Sequence, residues 1–215
     1  GGAIYHNESI NNLKISNNTI VNNNASSNGG GLYLGGSNFP ANIVANNIIW
    51  GNDAANGEQI YYKTSYSPHN DFYNNNIEDD FSGTYFDVSN GETFIGNALN
   101  NTDTDPLFVS PTAGIGNFDA STADFSLQST SPNINAGMDT SGLGLLATDI
   151  LGNNRQNGSA VDIGAYEFQG ATNTDPVFSS TAITTATVGT SYSYSVTATD
   201  VDGDALTFTG TTTPS

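Results

Sequence analysis

The chain has 215 residues, with 21 acidic side chains against 3 basic ones, a net charge of −18 and no cysteine. This acidic excess argues against nucleic acid and anionic membrane surfaces as partners, because both bind clustered lysine and arginine. Without cysteine there are no disulfides or thiolate metal sites, and no apolar run approaches the roughly 20 residues that a membrane helix needs. The chain opens inside a repeat and without methionine, so we interpret it as part of a longer protein.

A repeat of 28 residues dominates the first third of the chain. Glycine, an aliphatic residue and tyrosine return together in "GGAIY", "GGGLYL" and "GEQIYY". The aligned columns are Gly1, Gly29 and Gly57; Ile4, Leu32 and Ile60; and Tyr5, Tyr33 and Tyr61. The same offset aligns Ile15 with Ile43, Ile20 with Ile48, and Val21 with Ile49. A period of 20 to 50 residues indicates stacked structural units.

Each unit contains short apolar pieces separated by glycine and asparagine, and none has helical spacing over a useful length. Three short strands joined by bends make one turn of a coil, and its strands pair with the next turn about 4.8 Å away. The sequence therefore predicts an all-β fold, a right-handed parallel β-helix whose aliphatic columns point inward.

Asparagine forms a further column at Asn18, Asn46 and Asn74. Amide side chains at inward bends can bond to their copies on neighbouring turns, which predicts a structural ladder. The alternative is a line of sugar-binding amides.

After about residue 80 the strict period is lost, and "DPLF", "SPNINAG" and "DIGAYE" follow in that order. These motifs resemble the C-terminal part of β-helix proteins of the pectate-lyase-like superfamily, especially bacterial surface proteins of the choice-of-anchor Q type. The resemblance implies that residues 1–170 are the last rungs and the closing segment of a β-helix. Arg155 lies here among Asp149, Asp162 and Glu167. We expect it to anchor the last turns by bidentate ion pairing, and a catalytic role is the alternative.

From residue 171 threonine and serine replace asparagine, and "SYSYSVTAT" and "ALTFTGT" alternate as half-buried antiparallel strands do. The run "VTATDVDGD" resembles the first strands of bacterial cadherin-like or immunoglobulin-like domains, so residues 171–215 are expected to begin a truncated β-sandwich. Asp200, Asp202 and Asp204 alternate on a predicted turn. Such carboxylates can converge on Ca²⁺, and the alternative is a solvated β-turn.

The coil residues contain no recognisable catalytic constellation, neither a basic cluster for a lyase nor paired carboxylates for a hydrolase. We therefore expect a secreted or cell-surface bacterial protein, an adhesin-like stalk or glycan-binding module, which the resemblance further implies is cargo of an export system. The alternative is the non-catalytic end of a polysaccharide-degrading enzyme with its active site upstream. The aromatic candidates for stacking on sugars are Tyr5, Tyr33, Tyr61, Tyr62 and Trp50.

Overall fold

In a computed structural model of the chain, the described residues are 2–7, 13–35, 42–63, 70–79, 86–88, 96–112, 114, 121–139, 141–144, 147–170, 175–200 and 206–209. They divide into two compact units, residues 1–169 and 170–215. The strands are β1 (Ile4–His6), β2 (Lys14–Ser16), β3 (Thr19–Val21), β4 (Asn24–Asn28), β5 (Leu32–Leu34), β6 (Asn42–Ala45), β7 (Ile48–Trp50), β8 (Asp53–Asn56), β9 (Ile60–Tyr62), β10 (Asn70–Tyr73), β11 (Asn76–Ile77), β12 (Phe86–Val88), β13 (Ala98–Leu99), β14 (Phe108–Ser110), β15 (Asp124–Leu127), β16 (Val177–Phe178) and β17 (Ala198–Thr199). The described part also has a 3₁₀ turn at Ser141–Leu143, and it contains no helix with the length and apolarity to cross a membrane.

The first thirteen strands stack into a coil of parallel sheets. The first sheet has the order β1-β5-β9-β12, the second β2-β6-β10-β13 and the third β3-β7-β11, while β4 pairs with β8. Every one of these pairings is parallel and joins strands one turn apart. The predicted parallel β-helix is therefore confirmed.

The columns of the first sheet are those that the 28-residue repeat predicts. Ile4 pairs with Leu32 and Leu32 with Ile60, while the tyrosines one position later pair in the same way. The repeated glycine has a conformational cause, because Gly29 and Gly57 both have left-handed backbones, with φ of 67° and 61°.

The second and third sheets correct the predicted alignment by one residue. Ile15 lies opposite Val44 and Ile20 opposite Ile49, an offset of 29. The second turn has one residue more than the first between its strands in the first and second sheets, which changes the offset from 28 to 29. An irregularity in the β4–β8 pairing then returns the offset to 28, at the pair of Asn28 and Asn56. The coil also continues past residue 80, because β12 pairs with β9 at an offset of 26.

An Asn-Asn dipeptide marks the bend between the second and third sheets in every described turn. The first asparagine of each pair has a left-handed backbone; these residues are Asn17, Asn46, Asn74 and Asn100, with φ of 54°, 55°, 49° and 57°. Asparagine tolerates this region better than other residues with a Cβ. The bend therefore needs asparagine at its first position for reasons of backbone conformation.

The second asparagine of each pair forms the ladder. The Nδ2 of Asn18 donates to the Oδ1 of Asn47, Asn47 to Asn75, and Asn75 to Asn101, each at 2.9 Å. The predicted ladder of Asn18, Asn46 and Asn74 is thus right in its first member and wrong by one position in the other two, because the first step, from Asn18 to Asn47, spans 29 residues and not 28, while the next step spans 28.

The coil has an apolar interior and a second apolar layer outside. Inside lie the buried residues Ile15, Ile20, Leu32, Leu34, Val44, Ile49, Ile60, Tyr62, Phe72 and Ile77. The second cluster joins Ile48 of β7 to Phe108, Leu127 and Ile163. Since Ile48 and Ile49 are neighbours in one strand, their side chains point to opposite faces. The closing segment, which we define as residues 103–169, therefore covers the outer face of the third sheet.

In the second unit, β16 and β17 form one short antiparallel pair, and most of "SYSYSVTAT" and the described part of "ALTFTGT" lie outside strands. Two strands of two residues make no face that could cover apolar side chains, and Val177 and Phe178 are largely exposed. The immunoglobulin-like identity of this unit stays a prediction.

Candidate functional site: the groove beside Trp50

The closing segment is fixed to the coil by the first asparagine of the first three Asn-Asn pairs. Asn46 exchanges two bonds with Met138, donating from Nδ2 to its carbonyl at 2.8 Å and accepting its N–H at 2.9 Å. Asn74 donates to the carbonyl of Ala136 at 2.9 Å, and Asn17 donates to that of Asp162 at 3.4 Å. The segment thus runs back along the coil, from the third turn toward the first.

This path leaves a groove between the outer face of the third sheet and the beginning of the closing segment. The groove has a volume of about 280 Å³. Its walls are Val21, Asn22 and Trp50 from the coil, and Asp105, Pro106, Leu107, Phe108, Pro111, Thr112, Phe125 and Gln128 from the closing segment. Phe108 and Phe125 meet edge to face with ring centroids 5.5 Å apart, and the partly buried Trp50 packs on the same cluster.

Polar side chains also line the groove, and hydrogen bonds to the protein hold them in position. The Nδ2 of Asn22 donates to the hydroxyl of Thr112 at 2.7 Å, and the Nε2 of Gln128 donates to the carbonyl of Phe108 at 2.8 Å. One oxygen of the exposed Asp105 carboxylate accepts the N–H of Leu107 at 2.9 Å. The second oxygen of the Asp105 carboxylate and the side-chain Oε1 of Gln128 are acceptors that no other described residue uses.

Leu107 is held in an unfavourable backbone conformation at the groove. Its φ of 53° is the only left-handed value among the described residues at a position other than glycine, asparagine or aspartate. Such a residue costs of order 1–3 kcal/mol and persists where its surroundings determine it, most often at functional sites. Here the surroundings are the Asp105 carboxylate and the N–H of Gln128, which donates to the Leu107 carbonyl at 2.9 Å.

Of the aromatic residues that the sequence singled out, Trp50 lies in this groove. Sequence reasoning missed its partners Asp105, Phe108, Phe125 and Gln128, because they come from a region without a repeat. A signal was present in "NIIWG", since a continuous apolar run indicates a strand covered on both faces.

The tyrosine column lies on the outer face of the first sheet. The rings of Tyr5 and Tyr33 stack with centroids 4.5 Å apart, and those of Tyr33 and Tyr61 are 5.4 Å apart. Tyr5 is 60% exposed, whereas Tyr33 between its neighbours is 8% exposed. Burial, reinforced by Tyr5 and Tyr61, raises the pKa of Tyr33. Since the stacked rings cover each other's faces, the face of Tyr5 is more accessible to a ligand than that of Tyr33.

Tyr62 corrects the prediction for sugar stacking. Its side chain is 0% exposed inside the coil, because it follows the outward Tyr61 by one position in β9. Burial raises the pKa of Tyr62 to about 12, against a smaller lowering by a hydrogen bond with Asn70. Tyr62 is a core residue and offers nothing to an external ligand.

The carboxylates of the charged cluster in the closing segment accept hydrogen bonds from backbone N–H groups. Asp162 accepts the N–H groups of Asn135 and Phe168, at 2.7 and 2.6 Å. Glu167 accepts the N–H groups of Asn157 and Asp162, at 3.1 and 3.0 Å. Burial raises the pKa of both carboxyl groups despite these bonds.

Asp149 and Arg155 complete this cluster. Burial alone would raise the pKa of Asp149, but hydrogen bonds from Glu167, Asn153 and Leu151 outweigh it and the pKa is lowered. Arg155 donates to the carbonyl of Gly164 at 3.2 Å. Burial lowers its pKa, and the attraction of the nearby carboxylates opposes this. Its described contacts thus differ from the predicted bidentate ion pair: the carboxylates are engaged by backbone N–H groups.

The predicted calcium site lies mostly outside the described residues. Asp200 is described, whereas Asp202 and Asp204 are not, so calcium binding stays a prediction. Within the described part of the chain, no group of three or more histidine, cysteine, aspartate or glutamate residues is arranged to hold a metal ion.

Comparison with known proteins gives one family. Residues 3–116 match the family described as periplasmic copper-binding protein (NosD). Neither the curated proteins nor the solved structures contain a match. The matched residues are just over half of the chain and comprise the coil turns and β14. The chain therefore belongs to the NosD family of parallel β-helix proteins.

Proposed function

We propose that this chain is an extracytoplasmic β-helix module that binds glycans in the groove beside Trp50, as part of an adhesin-like surface or secreted protein. The observation that supports this most is the meeting of a partly exposed tryptophan with unused polar acceptors in a cavity of about 280 Å³. That volume is close to the lower end of the 300–1,000 Å³ range of ligand pockets. The location agrees with the family's periplasmic description.

The chemistry of the groove suits a sugar ring. A pyranose has an apolar C–H face and a rim of hydroxyl groups, so it needs a flat aromatic wall and hydrogen-bonding partners at the edge. Trp50 and Phe125 supply the wall. The unused oxygens of Asp105 and Gln128 accept from hydroxyl groups, and these acceptors are held in place by their own bonds to the backbone of β14 and the preceding turn.

Copper, which the family's description names, does not fit the residues of this chain. Copper sites use imidazole, thiolate and thioether ligands. The chain has two histidines, one methionine and no cysteine. His6 is buried in the first turn, with no hydrogen-bond partner for its Nε2. The proposal therefore involves no copper.

The test exploits the fact that Trp50 is the sole tryptophan of the chain. A glycan array probed with and without Ca²⁺ identifies candidate sugars. Titration of each hit against intrinsic tryptophan fluorescence then reports on the groove itself. We expect a saturable change in fluorescence, lost in Gln128→Ala, which keeps the fluorophore. Release of reducing ends during the titration would contradict both this proposal and the alternative of a non-catalytic enzyme end, because both assign no catalytic activity to this chain.

Two variants separate the groove from the tyrosine column. Trp50→Phe keeps an apolar ring on the cluster and is expected to weaken binding on the array, whereas Tyr5→Ala removes the most exposed ring of the column and is expected to leave binding unchanged. Circular dichroism melting curves control for folding. Binding that Tyr5→Ala abolishes and Trp50→Phe spares would reject the groove, and an array without hits would reject the proposed function.

A further inference from the structure

The groove beside Trp50 continues into a second cavity. This second cavity has a volume of about 600 Å³. The two cavities share four wall residues: Val21, Asn22, Thr112 and Phe125. Beyond these, the second cavity is lined by Thr19 of β3 and by Ile150, Ala165 and Tyr166 of the closing segment, and it reaches Gly2 and Ala3.

The two cavities succeed each other along the coil axis. Trp50 pairs with Val21 on the neighbouring turn, and paired parallel strands lie about 4.8 Å apart. The first cavity is lined by Trp50 of the second turn and by Val21 and Asn22 of the first, whereas the coil residues that line the second cavity all belong to the first turn. A ligand longer than one sugar unit would therefore lie parallel to the axis, with Trp50 beside its first unit, Tyr166 beside its second, and Phe125, which lines both cavities, between them.

The charge of these walls selects among polysaccharides. Asp105 is the sole charged side chain among the described residues that line either cavity. All three basic residues of the chain are described, and none lines either cavity. Lys14 donates to the carbonyl of Leu143 and Arg155 to that of Gly164. Because the protein has a net charge of −18 and neither cavity is lined by a basic residue, a polyuronate or a sulfated polysaccharide is repelled.

We propose that the ligand is a linear, uncharged polysaccharide that runs along the coil axis through two successive subsites, one at Trp50 and one at Tyr166, with Phe125 between them. This inference rests on the proposed glycan-binding function and adds the length, direction and charge of the ligand. Affinity then grows with chain length until both subsites are filled.

The test is a chain-length series read by the fluorescence of Trp50. The probes are neutral β-1,4-linked gluco-oligosaccharides and α-1,4-linked gluco-oligosaccharides of one to six units, with oligogalacturonates of equal length as the charged control. We expect one neutral series to gain about tenfold or more in affinity from the shortest to the longest member. The oligogalacturonates are expected not to bind at 0.15 M salt.

Tyr166→Ala locates the second subsite. We expect it to remove the gain with length while the shortest ligand binds as tightly as before, and the matched variant Tyr5→Ala to leave both unchanged. Equal affinity at all lengths, or binding of oligogalacturonates as tight as that of neutral chains, overturns the extended neutral site alone. Absence of binding by every glycan of the array and of both series rejects the underlying function as well.

Discussion

The asparagine ladder gives a sharp prediction about stability. Asn47 is 0% exposed. Its Oδ1 accepts the backbone N–H of Asn18 at 3.0 Å and the Nδ2 of Asn18 at 2.9 Å, while its own Nδ2 donates to the carbonyls of Ile15 and Ala45 at 3.0 Å and to Asn75 at 2.9 Å. Asn47→Ala removes all of these bonds and leaves a cavity lined by polar groups that have lost their partner.

The cost follows from the groups left behind. The partly buried N–H of Asn18 loses its acceptor, at about 1–3 kcal/mol, and each of the four further bonds lost costs about 0.5–1.5 kcal/mol net. We therefore expect Asn47→Ala to lower the free energy of unfolding by about 3 kcal/mol or more. The matched variant is Asn24→Ala, which removes an exposed bond of 2.7 Å to Asp53, and its cost is expected to stay within about 0.5 kcal/mol.

The assay is urea unfolding of both variants, followed by circular dichroism and by the fluorescence of Trp50. Coincident transitions would show that the coil unfolds as one unit. Asn75→Ala and the double variant Asn47→Ala/Asn75→Ala complete a cycle, with an expected coupling of about 0.5–1.5 kcal/mol for the bond that they share. If Asn47→Ala costs no more than Asn24→Ala, the ladder does not stabilise the coil and the reasoning is wrong.

Three further predictions concern Asn46 at the Asn-Asn bend, the glycines and the carboxylates of the closing segment. Asn46→Ala removes the two bonds to the closing segment, so hydrogen exchange is expected to rise at residues 136–138 while the ladder stays protected; uniform loss of protection would contradict this. Gly30→Ala is expected to lower the free energy of unfolding by more than about 3 kcal/mol, because the added Cβ would lie 2.6 Å from the carbonyl oxygen of Asp53. Urea unfolding measures this loss. The matched control is Gly142→Ala, since a Cβ at Gly142 meets nothing within 4 Å. Burial raises the pKa of Glu167, so its ionisation opposes folding, and Tm is expected to rise as the pH falls through this raised pKa toward 4.5. Asp149 has the opposite effect, because its lowered pKa means that its ionised form stabilises the fold; below pH 3.8 this stabilisation is lost and Tm falls. A rise in Tm that Glu167→Gln leaves unchanged would contradict the assignment of the rise to Glu167.

The architecture was predictable because the length of the repeat determines which residues of successive turns lie opposite each other. Columns such as Ile4, Leu32 and Ile60 are equivalent in three turns, and side chains that recur at one interval in short strands define the circumference of the coil. The one-residue error in the other sheets arose because the second turn has one residue more than the first between its first two paired strands, while the strands on either side keep their pairing. The Asn-Asn dipeptides hold the correct register, at offsets of 29, 28 and 26.

The groove was not predictable from the repeat. Its two walls are far apart in the sequence, since Trp50 belongs to the second turn and Phe125 to the closing segment. The aromatic residues of the coil therefore divide into three classes that a period alone does not separate. Tyr62 points inward, Tyr33 stacks on the outside between its neighbours, and Trp50 lies under a segment whose position depends on contacts outside the repeat.

The Asn-Asn dipeptide connects the stability of the coil to the candidate site. Its second asparagine bonds along the coil axis, whereas the first, turned outward by a left-handed backbone, bonds to the closing segment at Met138 and Ala136. The same bend that closes each turn thus also fixes the segment that forms the outer wall of the groove. Substitution of Asn46 should consequently weaken glycan binding without touching the ligand, through the position of Phe108 and Phe125. Fluorescence titration of Asn46→Ala measures this coupling. The control is Asn56→Ala, which removes an exposed bond of 2.8 Å to Asn28 and lines neither cavity. Equal affinities in the two variants would show that the groove is held independently of the Asn46 bonds to the closing segment.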